Sequence, residues 1–271
     1  TTRKTIQREP FVATEVILEE IERKLASGPA PEYITIAGSG EPTLHAGLGE
    51  CIEAIKTRFP VPVAVLTNGS LLWQREVQDA LLPADIVLPS LDVGNEHLFR
   101  LVNRPHPEIP FARMVDGLAE FRARFAKPLW LEVLLLDGVT GILAEVDAIA
   151  ALAERIQPTV VQLNTVSRPP CEEFAYRVSA RKLEAFARRF SGKVEVIAEA
   201  LGPGSQEDAT VSEEAVLDLL RRRPCTVDGV ALGLGVHRNQ AVKQLEALTA
   251  RGAAHVVRGD AGVFYEATRS A

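Results

Sequence analysis

Ile34-Thr-Ile-Ala-Gly-Ser-Gly-Glu-Pro-Thr-Leu-His45 decides how the rest of the chain is read. Its first four residues predict a short buried strand, and Gly38, Ser39 and Gly40 predict the turn that ends it. Gly38 and Gly40 carry no Cβ, which permits a positive φ and lets a ligand approach the main chain closely. The turn presents one carboxylate, Glu41, held by Pro42 and a helix that follows. A strand that ends in a glycine turn and an acid is where α/β folds place ligand chemistry. Taken alone, the same residues also describe a tight βα loop whose acid caps its helix.

Working outward, strand-like runs fall at residues 33–37, 62–66, 85–91, 129–136, 159–163 and 193–197. Helical periodicity fills the gaps at 48–58, 73–81, 111–125, 142–155 and 180–190. A first helix is predicted over 14–26, with Val16, Ile17, Ile21 and Leu25 on one face. Strand and helix in alternation predict parallel strands joined by right-handed crossovers. The strands are rich in Val, Ile and Leu with little polar alternation, as when both faces are covered. An open or closed βα barrel is the expected architecture.

With 46% hydrophobic and 24% charged residues in a chain of 271, the composition is that of a globular protein with a sizeable core. A net charge of −6 gives no electrostatic reason for strong non-specific nucleic-acid binding. No run approaches about 18 uninterrupted apolar residues, so no membrane-spanning helix is expected. The polar, basic start from Thr1 to Arg8 has no apolar stretch behind it, which argues against a signal peptide, and the three scattered cysteines fit a reduced, cytoplasmic setting. The chain does not begin with Met, so it is expected to start inside a longer protein. Cys51, Cys171 and Cys225 lie too far apart for a disulfide framework or a metal-binding spacing, and no metal ligand is assigned. Cys51 sits in an apolar helical pattern and is expected in the core.

The composition shifts at 201–209, a Gly/Pro/polar stretch taken as a linker between a domain over 1–200 and a module over 210–271. A helix over 212–223 with Ser212 as its cap opens the module. A segment over 226–232, a turn and a second helix over 237–251 follow it. A hairpin over 254–268, with its tip at 259–262, completes a pattern that resembles a winged helix. On the second helix Val242, Leu245 and Leu248 are expected inward, with Arg238, Gln240, Lys243 and Gln244 outward. Eight basic against seven acidic residues from Thr210 onward form a weak nucleic-acid footprint. Contact with protein and contact with nucleic acid both stay open for this module.

If the first five strands are parallel, their C-terminal ends share one rim. It carries Gly38, Ser39, Gly40, Glu41 and Pro42, then Thr67 and Asn68, then Ser90 and Asp92. Glu132 follows, and last come Asn164 and Thr165 with Arg168 just beyond. Such acids, amides and hydroxyls suit a ligand that bears an ammonium and a ribose. Each has a structural alternative as a turn residue or a helix cap. Glu132, amid Leu129-Trp-Leu-Glu-Val-Leu-Leu, needs a partner if buried.

The stretches Gly38-Ser-Gly-Glu-Pro-Thr-Leu44, Thr67-Asn-Gly-Ser70, Ser90-Leu-Asp92, Asn103-Arg-Pro105 and Gln162-Leu-Asn-Thr-Val-Ser-Arg-Pro-Pro170 occur in this order. Together they resemble radical S-adenosylmethionine (radical SAM) enzymes, of the group related to wyosine-forming tRNA-modifying enzymes. The resemblance spans roughly residues 1 to 200. It implies a partial (β/α)₆ barrel, here without its first strand, in which Gly40-Glu41 meets the SAM amino group. Ser90 and Asp92 would lie near the ribose or carboxylate, and Asn68 and Asn164 would line the nucleoside end. It also implies a [4Fe–4S] cluster on a Cys-x₃-Cys-x₂-Cys loop, an electron donor, and a 5′-deoxyadenosyl radical that abstracts a substrate hydrogen. No such cysteine loop occurs in these residues, so its ligands are expected upstream and this chain alone is expected to be inactive. Two further readings stand beside it. One is a winged-helix DNA-binding regulator that senses a nucleoside-type ligand in a clusterless barrel, and the other is a closed TIM-barrel enzyme.

Overall fold

The computed structural model describes residues 4–26, 28–38, 40–166, 176–197, 213–222, 224–234, 236, 238–259 and 262–268. They divide into two compact units, the first ending at Val196 and the second holding the elements from Glu213 onward. The predicted linker at 201–209 and the cap at Ser212 lie outside the described residues.

In the first unit α1 (Thr14–Ala26), β1 (Ile34–Ile36), α2 (Leu48–Arg58), β2 (Val63–Thr67), α3 (Arg75–Leu81) and β3 (Ile86–Pro89) follow one another. Next come α4 (Glu96–Leu98), α5 (Phe111–Arg124), β4 (Trp130–Asp137), α6 (Leu143–Ile156) and β5 (Val160–Thr165). A two-residue β6 (Tyr176–Arg177), α7 (Ala180–Ala187) and β7 (Val194–Val196) complete it. All six of the predicted strands and all six of the predicted helices of this unit are present, with ends displaced by up to three residues. For example, α3 starts at Arg75 because the residues before it close separate turns, Leu72 N to Gly69 O and Gln74 N to Leu71 O.

β1, β2 and β3 pair in parallel, as do β4 with β5 and β5 with β7. Parallel bridges from Val87 to Leu129 and from Ser90 to Glu132 join β3 to β4. The parallel strands therefore stand side by side in chain order. Right-handed crossovers between strands in sequential order return every helix to the same face of the sheet. Burial along β4 shows the result: Leu131, Val133 and Leu135 are fully buried, while Trp130, Glu132 and Leu134 are half-buried. Among the described residues one face of the sheet is thus less covered than the other along β4, although Val160 and Gln162 on that side of β5 are buried. β1 and β7 do not pair with each other among the described residues, so the sheet is an unclosed one, not a closed TIM barrel. Strict parallel alternation also fails at β6, which runs antiparallel to the end of β4 through Leu136↔Arg177 and Asp137↔Tyr176.

The helix-side core is built on Ile52, Ile55, Val63, Val65, Leu118 and Leu131, with Phe121 and Phe125 stacked at 5.0 Å between ring centroids. Burying each such side chain stabilises the fold by about 1.5–3 kcal/mol. Gly117 is required where α5 meets the preceding loop, since a Cβ there would lie 2.4 Å from Trp73 N. The apolar face predicted for α1 is not packed away: the helix has no fully buried residue, and Val16 is 57% exposed.

The second unit comprises α8 (Glu213–Arg222), α9 (Val227–Gly233), α10 (Arg238–Ala250), β8 (Ala254–Gly259) and β9 (Gly262–Ala267). Thr226 Oγ1 accepts from Gly229 N at 3.0 Å at the start of α9. The hairpin is antiparallel as expected, and Cys225 bridges to Tyr265 on it. Val216, Leu220, Val230, Leu245 and Leu248 form the core. On α10 the buried row is Ala241, Leu245 and Leu248, and Val242 is half-buried at its margin, because a 3.6-residue turn brings 241, 245 and 248 into line. Among the described residues no helix is long and apolar enough to cross a membrane.

Candidate functional site

Glu41 ends the turn after β1 and begins a 3₁₀ turn over Pro42–Leu44, with Pro42 at its first position. Its Oε1 accepts from Thr43 N at 3.0 Å, Thr43 Oγ1 at 2.7 Å and Thr67 Oγ1 at 2.5 Å. Its Oε2 accepts from Asn68 N at 2.8 Å. The carboxylate therefore caps the turn and stitches the end of β1 to the end of β2. Arg8 holds the same turn from its other side, donating from Nε to Thr43 O at 2.9 Å, and Glu9 N donates to Leu44 O at 3.0 Å. No positive φ is recorded at Gly38 or Gly40, so the latitude a glycine allows is not used there. A Cβ on Gly40 would meet nothing within 4 Å, so the fold itself has no need of a glycine there.

The open face of the sheet carries a polar row. The bridge between Ser90 and Glu132 and the registers Glu132↔Gln162 and Gln162↔Glu195 set these four residues side by side, Ser90 just past β3 and the others on β4, β5 and β7. Asn164, one pleat further along, donates from Nδ2 to Glu132 Oε1 at 3.5 Å and accepts from Thr165 N at 2.8 Å. Beyond Ser90, Asp92 accepts from Leu134 N at 3.0 Å and from Asn103 Nδ2 at 2.7 Å. Desolvation pushes the Asp92 carboxyl up to about 6, the two hydrogen bonds oppose the rise, and the Glu132 charge adds to it.

The structure thus gathers Ser90, Asp92, Glu132 and Asn164 as the sequence predicts, with Gly40 and Asn68 at the ends of β1 and β2. Thr67 and Thr165 turn the other way. Thr67 Oγ1 is held between Glu41 and Gly69 N, and Thr165 Oγ1 donates to Leu135 O and accepts from Val178 N, each at 2.8 Å. Both threonines are buried, and their hydroxyls serve the fold. Asn68 Oδ1 accepts from Ser70 N, which leaves its amide NH₂ exposed. Ser39 and Arg168 lie outside the described residues. Asn103, Gln162 and Glu195 were not singled out as site residues. Asn103 and Gln162 stand inside motifs that were recognised, whereas Glu195 carried no sequence signal beyond its place in a strand.

The residues present do not fit a [4Fe–4S] cluster, which needs thiolates grouped together. Cys51 is buried under α2 with its thiol pKa raised by desolvation, Cys225 belongs to the core of the second unit, and Cys171 lies outside the described residues. Among the described residues no group of three or more His, Cys, Asp or Glu side chains is placed to hold a metal ion. The acids, amides and hydroxyl on the open face are acceptors of the kind that an ammonium or a ribose hydroxyl takes.

The pattern that describes the radical SAM superfamily matches residues 2–153. A protein named GTPase Obg from Brachyspira hyodysenteriae is 34% identical over 245 residues, which cover 89% of this chain and 36% of that protein. A UPF0026 protein from Methanocaldococcus jannaschii is 30% identical over 176 residues, covering 64% of this chain and 54% of its own length. The chain thus spans about a third to about half of these relatives. In fold it is similar to a radical SAM methyltransferase from Sphaerobacter thermophilus, with a TM-score of 0.55 at 18% identity over 68% of this chain and 56% of that one. With the superfamily match running through more than half of the sequence, the chain belongs to the radical SAM superfamily.

Proposed function

We propose that the first unit is the S-adenosylmethionine- and substrate-binding part of a radical SAM enzyme. The observation that carries this reading is the polar row on the open face of the sheet, in a chain of that superfamily. Ser90 and Asp92 would take the ribose hydroxyls, and Asn68 and Asn164 the nucleoside end. Glu41 Oε1 is filled by three donors, while Oε2 accepts one bond and keeps capacity for the SAM ammonium. Gly38 and Gly40 would keep the main chain open to it. The architecture would be a (β/α)₆ barrel without its first strand. Kinship with the wyosine-forming group rests on the ordered set of motifs at 38–44, 67–70, 90–92, 103–105 and 162–170 alone. Hydrogen abstraction would depend on cluster ligands outside these 271 residues and on an electron donor.

Calorimetric titration of the chain with S-adenosylmethionine and with ATP tests this. Saturable one-to-one binding of S-adenosylmethionine, and weaker binding of ATP to the acidic face, is the expected result. Equal affinity for both would refute the reading.

For the second unit, three helices followed by a hairpin fit a winged helix, and a protein-contact role suits it better than nucleic acid. Arg221 pairs with Glu214 and Asp218, Arg238 with Asp228, and Arg251 with Glu213, so these guanidiniums are already neutralised. The second reading is a DNA-binding regulator with a ligand-sensing barrel. Filter binding to duplex DNA over a salt series separates the two, since phosphate contacts require affinity to fall steeply with salt.

A further inference from the structure

Gln162 is an amide in the middle of β5, 8% exposed, between the buried apolar residues Val161 and Leu163. The strand registers place it between Glu132 on β4 and Glu195 on β7, all on the open face. Its Nε2 donates to Glu195 Oε2 at 3.2 Å. An ionised carboxylate only accepts, so this bond fixes which end of the amide is nitrogen. Glu195 is also paired with Lys193 at 2.6 Å, so its charge is compensated and its hold on Gln162 needs no ligand.

With Nε2 committed to Glu195 on β7, the oxygen is the end of the amide left over, and the in-register neighbour on the other side is Glu132 on β4, about 4.8 Å away between strand backbones. No described residue donates to that oxygen. Glu132 in turn receives one contact from Asn164, at the 3.5 Å limit of a hydrogen bond, and no Lys or Arg among the described residues pairs with it. A carboxylate and an amide oxygen thus stand side by side with no donor between them. Acceptors that the fold leaves without a donor can take an N–H that a ligand brings. A primary ammonium brings three N–H donors and the opposite charge. A phosphate or carboxylate would be repelled.

We infer that Glu132 and Gln162 form a subsite for a primary ammonium group, with Glu132 supplying the charge, Gln162 Oε1 the second acceptor, and Glu195 the orientation of the amide. This rests on the open face being the ligand face, as in the proposed function. The ammonium is that of an amine-bearing substrate; the α-amine of S-adenosylmethionine, which the proposed function gives to Glu41, is the alternative that the experiment separates.

The test uses Glu132→Gln and Gln162→Met, which keep side-chain size, with thermal melts to show that both variants fold. The probes are n-butylammonium chloride followed by NMR shift titration, and S-adenosylmethionine and its deaminated analogue by calorimetry. Each variant is expected to weaken ammonium binding about tenfold or more. If S-adenosylmethionine weakens and its deaminated analogue does not, the subsite takes the cofactor's amine. If butylammonium weakens while S-adenosylmethionine is unchanged, it takes the amine of a substrate. Failure of the unaltered chain to bind S-adenosylmethionine, with butylammonium binding still lost in both variants, would refute the proposed function and keep the subsite. Unchanged affinity for every probe in both variants, or no ammonium binding by the unaltered chain, overturns the inference.

Discussion

Asn103 donates from Nδ2 to Asp92 Oδ2 at 2.7 Å, which links the strand end after β3 to the tip of a π-helical turn, Phe99–Asn103. The next residue, Arg104, has a left-handed φ of 48° and ends that turn. Asp92 is thereby held on both oxygens, by Asn103 and by Leu134 N, in a setting that raises its pKa to about 6.

This sets a pH dependence with a definite sign. The folded Asp92 carboxyl titrates near 6 and the unfolded one near 3.8, so between these values the folded chain binds the proton more tightly. The stability Asp92 contributes is full below about pH 4 and is lost as the pH rises through about 6. Asp92→Asn should therefore raise the melting temperature relative to the unaltered chain at pH 7.5, with a smaller difference at pH 4. Circular-dichroism melts across pH 4–8 check it, and a difference that does not vary with pH would discard the assignment.

Glu41→Ala removes an acceptor from four donors at once. Part-buried bonds to a charged acceptor suggest a loss of about 3 kcal/mol in unfolding free energy, read by urea denaturation. A loss of binding with no loss of stability would mean that the stitching of β1 to β2 is unimportant.

Gly40→Ala separates ligand from fold in the opposite direction. A Cβ there meets nothing within 4 Å and φ is not positive, so stability should change by less than about 1 kcal/mol. S-adenosylmethionine affinity should fall if the cofactor packs on the main chain of this turn. Unaltered affinity would move the cofactor elsewhere.

Thr165→Val should cost about 1–3 kcal/mol, because Val178 N and Leu135 O both lose a buried partner. Ligand affinity should stay the same. A drop in affinity without destabilisation would return Thr165 to the binding face.

Periodicity made the strands and helices legible, since 3.6- and 2-residue patterns belong to the sequence itself. Which strand-end side chain faces the ligand was not legible, because it depends on register. Thr67 and Asn68 are adjacent, yet one is locked under Glu41 and the other is exposed. Gln162 was visible as part of a motif, but its role emerges only when β7 brings Glu195 beside it. The state of Glu41 was equally hidden, since three of its four donors come from Thr67, Asn68 and the side chain of Thr43. The helix-cap reading of that acid is met by its bond from Thr43 N, and the ligand clamp belongs to the proposed function.

The two strands that bound the parallel sheet, β1 and β7, are three residues long each. An unclosed sheet leaves backbone donors and acceptors free along such borders, where another chain can pair and begin aggregation. Brevity limits that hazard here: a border of three residues offers a foreign strand too few bonds to hold it. Among the described residues the sheet thus stays unclosed without offering a long template for self-association.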